Sequence, residues 1–279
     1  MSPSPPVRRT GAPAGRTLAI LAGGGPLPRM VAEAAAAQGR PVHVIGFDGF
    51  CEPATLAGFP HDVVPLAKVG RLFAALAAAG AQDFVLAGPV RRPKPSQISF
   101  DPAGLVALMR LLPVWAGDAS LLARVIGLIE AKGYRAVGAH DILPSLLAQE
   151  GPLGRHVPDD AARRDIAAGF EAARALGLRG RGQAVLVRGG NIVGEEDRAG
   201  TAALLQRSNA AGAVLVKAAM PGQDRRVDLP TIGPRTVEAA AQAGLRGIAV
   251  EAGETLVLDR AETLAAADAA GLFVFGVAR

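Results

Sequence analysis

The residues best suited to chemistry lie in one segment, "VKAAMPGQDRRVDLPTIG", Val216 to Gly233. Lys217 ends an apolar run, and Gln223, Arg226, Asp228 and Thr231 follow it. Together they offer cations, hydrogen-bond donors and one carboxylate. That mixture suits phosphoryl transfer to water: cations stabilise the charge that develops, and a carboxylate orients water or a metal. The segment is too polar for a core strand and too rich in proline for a helix, so the alternative is a solvated loop.

Three further segments carry candidate binding groups. "LAGGGPLP", Leu21 to Pro28, is a glycine turn between an apolar run and a helical one, with Gly24 and Gly25 at its centre. Such a turn exposes backbone N–H groups at the positive end of a helix, where phosphate binds. Its spacing is neither the dinucleotide fingerprint, since Pro28 takes the place of the third glycine, nor a P-loop, since lysine is absent. A tight turn that needs glycine for its shape alone explains it equally well. "LAGPVRRP", Leu86 to Pro93, follows another strand pattern; Gly88 permits close approach, and Arg91 and Arg92 can meet a phosphate or solvent. "GGNIVGEEDRAGT", Gly189 to Thr201, carries three consecutive acids, Glu195, Glu196 and Asp197, before Gly200 and Thr201. Oxygen ligands at a strand end suit Mg²⁺, although an acidic run is more often a solvated turn.

These segments need a frame. The first half reads strand ("TLAILA"), helix ("PLPRMVAEAAAAQG"), strand ("PVHVIGF"), helix ("KVGRLFAALAAAG"), strand ("DFVLAGPV"), an order that predicts a parallel sheet with right-handed crossovers. Helical patterns over "GLVALMRLL" and "SLLARVIGLIEAKG" and a strand at "YRAVGAH" complete it. "DILPSLLAQEGPLGRHVP", with Pro and Gly at intervals, is the expected connection between two domains. The second half opens with a capped amphipathic helix, "DDAARRDIAAGFEAARALG", with Ile166, Phe170 and Ala173 inward. "QAVLVRGGNIVGEE" follows as a hairpin. Next come a helix at "TAALLQRS", a strand at "AVLVKAA", a helix at "RTVEAAAQAG", a strand pair within "GIAVEAGETLVLD", a helix at "AETLAAADAAG" and a last strand at "LFVFGVA". The expected fold class is α/β: a parallel-sheet domain over 17–150 and a second α/β domain with hairpins over 151–279, after a disordered Pro/Ser/Arg-rich tail at 1–16.

Composition narrows the function. The chain has 279 residues, 50% apolar and 4% aromatic, with a formal charge of +5. No Lys/Arg tract or aromatic stacking platform points to nucleic acid. Dispersed positive charge suits anionic small molecules or an anionic membrane surface. A single cysteine, Cys51, excludes an intramolecular disulfide and fits a reducing compartment. His43, His61, His140 and His156 show no zinc spacing, no GxSxG elbow occurs, and His140 in "GAHD" fits a structural role better than that of a base.

The segments "AILAGGGPLP", "AGPVRRP", "GDASLLAR", "GAHD", "GQAVLV", "RVDLPTIG" and "VEAGETLVLDR", in this order from about Thr17 onward, resemble the LpxI-type UDP-2,3-diacylglucosamine pyrophosphatases of lipid A biosynthesis. The resemblance implies a Rossmann-like N-terminal domain, a distinct C-terminal catalytic domain and a substrate held between them. It also implies hydrolysis of UDP-2,3-diacylglucosamine to UMP and lipid X with a divalent metal, Mg²⁺ or Mn²⁺. The essential aspartate of "RVDLPTIG" falls on Asp228, with Glu196 as a second metal candidate. Substrate contacts are expected from Gly24, Gly25, Gly88, Thr201, Lys217 and Thr231, with Gln223 and Arg226 beside them. Further expectations are a cytoplasmic protein in transient contact with the inner membrane leaflet, no nucleic-acid partner, and a homodimer. The chain departs from the family pattern at Pro89, at Ala119, and at Ala199 and Ala202, where the family usually reads Glu-Gly-Thr-Asp. The alternative is therefore a protein of the same fold that binds the lipid-linked nucleotide sugar with weak or no hydrolysis.

Overall fold

The computed structural model describes residues 15–90, 101–102 and 118–278. The expected tail, the Arg91–Arg92 pair and the helix over "GLVALMRLL" lie outside these residues. The chain divides into two compact units between Pro144 and Ser145, within the segment expected to connect two domains.

In the first unit, β1 (Leu18–Ala22), α1 (Leu27–Ala37), β2 (Val42–Phe47), α2 (Pro53–Leu56), β3 (His61–Val64), α3 (Val69–Ala78), β4 (Asp83–Ala87), α4 (Asp118–Glu130), β5 (Arg135–Ala136) and α5 (Ala139–Ile142) follow in order. The strands form one parallel sheet in the order β3-β2-β1-β4-β5. The order reverses between β1 and β4, the Rossmann arrangement, in which ligands bind beyond the carboxyl ends of the strands. Strand β1 is buried at every position, which is why "LAILA" is continuously apolar rather than alternating. Strand β3 was not expected from the sequence: His61, Asp62 and Val63 are exposed on an edge and leave no apolar signal. Helix α1 buries Pro28, Val31, Ala32 and Ala35. Gly39 ends it at positive φ, as a C′ glycine does.

In the second unit, β6 (Gly151–Pro152), α6 (Asp160–Leu178), β7 (Ala184–Arg188), β8 (Asn191–Glu195), α7 (Gly200–Arg207), β9 (Val214–Lys217), β10 (Thr231–Ile232), α8 (Pro234–Gln242), β11 (Gly247–Glu251), β12 (Leu256–Val257), α9 (Arg260–Ala269) and β13 (Phe273–Val277) follow. Six of the strands form a sheet in the order β6-β13-β11-β9-β7-β8. Strands β13, β11 and β9 are parallel, while β6, β7 and β8 each run antiparallel to a neighbour. Alternate residues face opposite sides, as pleating requires. Val185, Val187, Val214 and Val216 pack on Ile166, Phe170 and Ala173 of α6. Leu186, Leu215, Ile248 and Val250 pack on the other side, with Leu204, Leu205, Val237 and Ala240 from α7 and α8.

The expected hairpin is β7–β8, turned by Gly189 and Gly190, both at positive φ. The strand pair expected within "GIAVEAGETLVLD" is corrected: β11 belongs to the six-stranded sheet, whereas β12 pairs in parallel with β10 in a separate two-stranded sheet. An apolar run marks a strand but does not name its partner. Among the described residues, no helix is long and apolar enough to cross a membrane.

Candidate active site

In the first unit the glycine turn is packed against the exit of β4. The Gly23 and Gly24 amides donate to the carbonyls of Ala87 and Pro89, at 2.8 and 3.0 Å. A Cβ on Gly23 would come within 2.6 Å of the Gly88 and Pro89 carbonyl oxygens, and one on Gly88, itself at φ +82°, would collide with the Gly24 carbonyl. These two glycines are required by backbone crossing. The Gly25 amide donates to Glu52 Oε1 at 3.2 Å, so a carboxylate already meets the amide expected to receive a phosphate. Cys51, beside it, packs against Gly46, and burial pushes its thiol pKa up, as a packing residue rather than a nucleophile. His140 lies in α5 of this unit, 3.7 Å from the Asp141 carboxylate.

In the second unit the candidate residues gather where β9 and β11 end. After Lys217 the chain makes a turn, Met220-Pro221-Gly222-Gln223. The Gln223 amide bonds back to Met220 O at 3.3 Å and Gly222 sits at φ +78°. Pro at the second position and Gly at the third are what a type II turn needs. The Gln223 side chain then bridges outward. Its Oε1 accepts from the Met220 amide at 2.9 Å, and its Nε2 donates to Asp228 Oδ2 at 2.9 Å. The first bond fixes which end of the amide faces Asp228. Asp228 itself closes a helical turn, its amide donating to Asp224 O at 3.1 Å. Arg226 folds its guanidinium onto Asp224, at 2.9 and 2.6 Å, which holds the Asp224 carboxyl below its ordinary pKa. Arg225 pairs with Glu254 at 2.9 Å and bonds the Gly253 carbonyl.

Lys217 is buried, at 5% exposure, and its Nζ donates to the Thr231 carbonyl at 3.0 Å. It ties the end of β9 to the start of β10, and the Asp228 segment hangs between them. Burial lowers the Lys217 pKa, opposed by the charge of Glu196. Glu196 is also buried. Its Oε2 accepts from the Gln183 amide at 2.8 Å and its Oε1 from the Thr201 hydroxyl at 2.6 Å. The Thr231 hydroxyl donates to Leu229 O at 3.2 Å. Glu195 lies 3.7 Å from Arg179, and Asp197 pairs with Arg207 at 2.6 Å. The second unit thus holds three bonded pairs, Thr201 with Glu196, Lys217 with the Thr231 carbonyl and Gln223 with Asp228, while Gly24, Gly25 and Gly88 lie in the first.

The sequence did not reveal Glu251, which is buried at the end of β11 and accepts from the Ala219 amide at 3.0 Å while pairing with Arg174 of α6. An acid closing the apolar run "GIAV" was the available signal. As for a metal, no group of three His, Cys, Asp or Glu among the described residues is gathered to hold one. Both Glu196 oxygens already accept hydrogen bonds inside the protein. The described side chains do not fit a preformed Mg²⁺ or Mn²⁺ site.

A Rossmann-ordered parallel sheet followed by a mixed-sheet unit with a carboxylate loop at its strand ends defines a two-unit α/β protein. Residues 17–146 match the LpxI N-terminal domain family and residues 149–275 the LpxI C-terminal domain family. The chain is 38% identical, over 274 residues, to the UDP-2,3-diacylglucosamine pyrophosphatase LpxI of Caulobacter vibrioides, covering 94% of this chain and 98% of that protein. The chain belongs to the LpxI family.

Proposed function

We propose that the protein hydrolyses the pyrophosphate bond of UDP-2,3-diacylglucosamine, releasing UMP and lipid X. Family membership and the name of the relative support the reaction. The observation that carries the role of Asp228 is its orientation by Gln223, itself fixed by the Met220 amide. Asp228 takes a proton from a water molecule whose oxygen attacks phosphorus. One P–O bond of the anhydride breaks, and the pair of electrons leaves with the departing phosphate. Lys217, Arg226 and Thr231 lie on the segments that bracket Asp228, where cations and donors oppose the charge that develops. Metal dependence is part of the proposal. Mg²⁺ commonly binds through one or two carboxylates together with substrate phosphates, and Asp228 is the carboxylate that would hold it here. Contact with the inner leaflet follows from a lipid-linked substrate, and a cytoplasmic setting and the homodimer common among cytoplasmic enzymes complete the proposal.

The test is UMP release from UDP-2,3-diacylglucosamine by the purified chain, with Mg²⁺, with Mn²⁺ and with chelator. Asp228→Ala is expected to abolish release while leaving the fold intact by circular dichroism. Retained turnover in that variant would sink the role of Asp228. Tight binding by the unaltered chain with no UMP release would favour the binding-protein alternative, which Ala199 and Ala202 motivate.

A further inference from the structure

Glu196 and Lys217 are neighbours of the same residue from opposite sides. The Glu196 amide donates to Ala184 O at 2.9 Å, and Ala184 is paired with Lys217 across β7 and β9. Residues in register across strands share a face, so Glu196, Ala184 and Lys217 form a row on one side of the sheet. Strands are about 4.8 Å apart, so the two outer residues are about 10 Å apart at their backbones. The small side chain between them leaves space for a glutamate and a lysine to approach over it. α7 covers this side of the sheet, with Leu204 and Leu205 in the same buried cluster as Ala184, and its first turn carries Thr201, whose hydroxyl reaches Glu196.

We propose that Glu196 is a positioning residue: it is the buried counter-ion of Lys217 across Ala184 and the anchor of Thr201, and through them it fixes the segment that carries Asp228. The chain runs through two hydrogen-bonded ends joined by the charge of Glu196 acting on Lys217. Gln183 N–H and Thr201 Oγ hold the carboxylate. The carboxylate acts on Lys217 by its charge, along the row set by strand register, and Lys217 Nζ holds the Thr231 carbonyl, three residues beyond Asp228. Glu196 therefore acts through its neighbours and not as a cation ligand. A pair of this kind has a recognisable energetic signature. Removing one partner strands a buried charge, whereas removing both does not.

The pair itself is tested on the full chain without substrate, by urea denaturation of Glu196→Gln, Lys217→Met and the double variant. Each single variant is expected to lower the midpoint, and the double variant to recover part of the loss. Additive losses would overturn the pairing. The positioning role rests on the hydrolase reading and is tested separately by kinetics. Glu196→Gln is expected to lower kcat at least about tenfold with KM within about twofold, because it touches no substrate. The Mg²⁺ concentration giving half-maximal activity is expected to stay unchanged. Thr201→Val, which removes only the hydroxyl donor, is expected to lower kcat in the same direction while folding normally. A rise in the Mg²⁺ requirement, or a loss confined to KM, would overturn the role. Absence of UMP release by the unaltered chain would overturn the hydrolase reading, and the denaturation experiment would still decide the pair.

Discussion

Asp83 in the first unit and Glu196 in the second are both buried acids beside basic groups, at opposite kinds of sheet edge. Asp83 begins β4 and is fully buried. Arg135 grips it with two nitrogens at 2.9 Å, Arg16 reaches it at 3.1 Å, and Arg40 binds its other oxygen. These arginines precede or begin β1, β2 and β5, so one carboxylate ties four strands together at their amino ends. Burial alone would raise the Asp83 pKa, but hydrogen bonds from Arg135 and Arg16 outweigh it and the net shift is downward. Glu196 and Lys217 lie beside the carboxyl end of β9, where the Asp228 segment begins. The Asp83 carboxylate is saturated by the fold, whereas the Lys217 ammonium has, among the described residues, a single carbonyl partner and a carboxylate in its field. Buried charge at the amino edge fixes strands, and at the carboxyl edge it holds a loop. This is the division expected of α/β sheets, whose ligands bind beyond the carboxyl ends.

The largest effect that would sharpen this comparison is on stability. Asp83→Asn leaves Arg40, buried at the same edge, without its counter-charge, and is expected to cost about 3–5 kcal/mol in chemical denaturation. UMP release per folded molecule should be unchanged; a specific loss of turnover would break the division between the two edges. The pH dependence follows with its sign. The folded-state pKa of Asp83 is depressed, so its stabilisation is present above the unfolded value of about 3.9 and is lost as pH falls through the folded value. The acid limb of the stability profile should flatten in Asp83→Asn. Lys217 is also depressed, so the unfolded chain binds more protons between its folded pKa and about 10.4, and stability rises with pH across that window. Lys217→Met should remove that alkaline slope and leave the acid limb alone.

A smaller effect tests whether the carboxyl edge is functional throughout. Glu251→Gln loses the charged pair with Arg174 and weakens the hold on the Ala219 amide, at a cost of about 1–3 kcal/mol. Because Ala219 starts the segment leading to Asp228, kcat should fall as well. A variant that lost stability without losing kcat would place Glu251 with Asp83, as a strut.

The sequence carried the Asp228 segment and its glycine turns because their signals are local. Pro230 and the polar run before it mark a loop, Gly189-Gly190 specifies a hairpin, and "LAILA" specifies a buried strand. The Asp83 cluster was illegible for the opposite reason: its arginines stand 67, 43 and 52 residues away, and only the sheet order brings them together. Glu196 was legible as an acid at a strand end but not as a charge near Lys217, since their placement in one row depends on register through Ala184. Strand β3 left no apolar pattern because its edge faces solvent. The parallel partnership of β10 and β12 could not be read from two strands of two residues each. Periodicity reports which face a residue turns to the core, and pairing is decided by topology.

The smallest effect belongs at the other end of β7. Gly189 and Gly190 turn the hairpin at φ +58° and +78°, and both amides donate to the buried carboxylate of Asp165, at 3.1 and 2.6 Å. A fourth buried acid thus holds a turn. Gly189 stands five residues from Ala184, so at about 3.4 Å per residue it lies roughly 17 Å along the strand from the Glu196–Lys217 row. Open space surrounds the Gly189 Cβ position, so Gly189→Ala pays only for a left-handed backbone, about 1 kcal/mol. The melting temperature should fall slightly, and kcat and KM should both hold. If kcat fell instead, strain at the hairpin tip would be reaching the row through β7. The contrast would then have to be drawn between the two units, because the two ends of this sheet would no longer be separable.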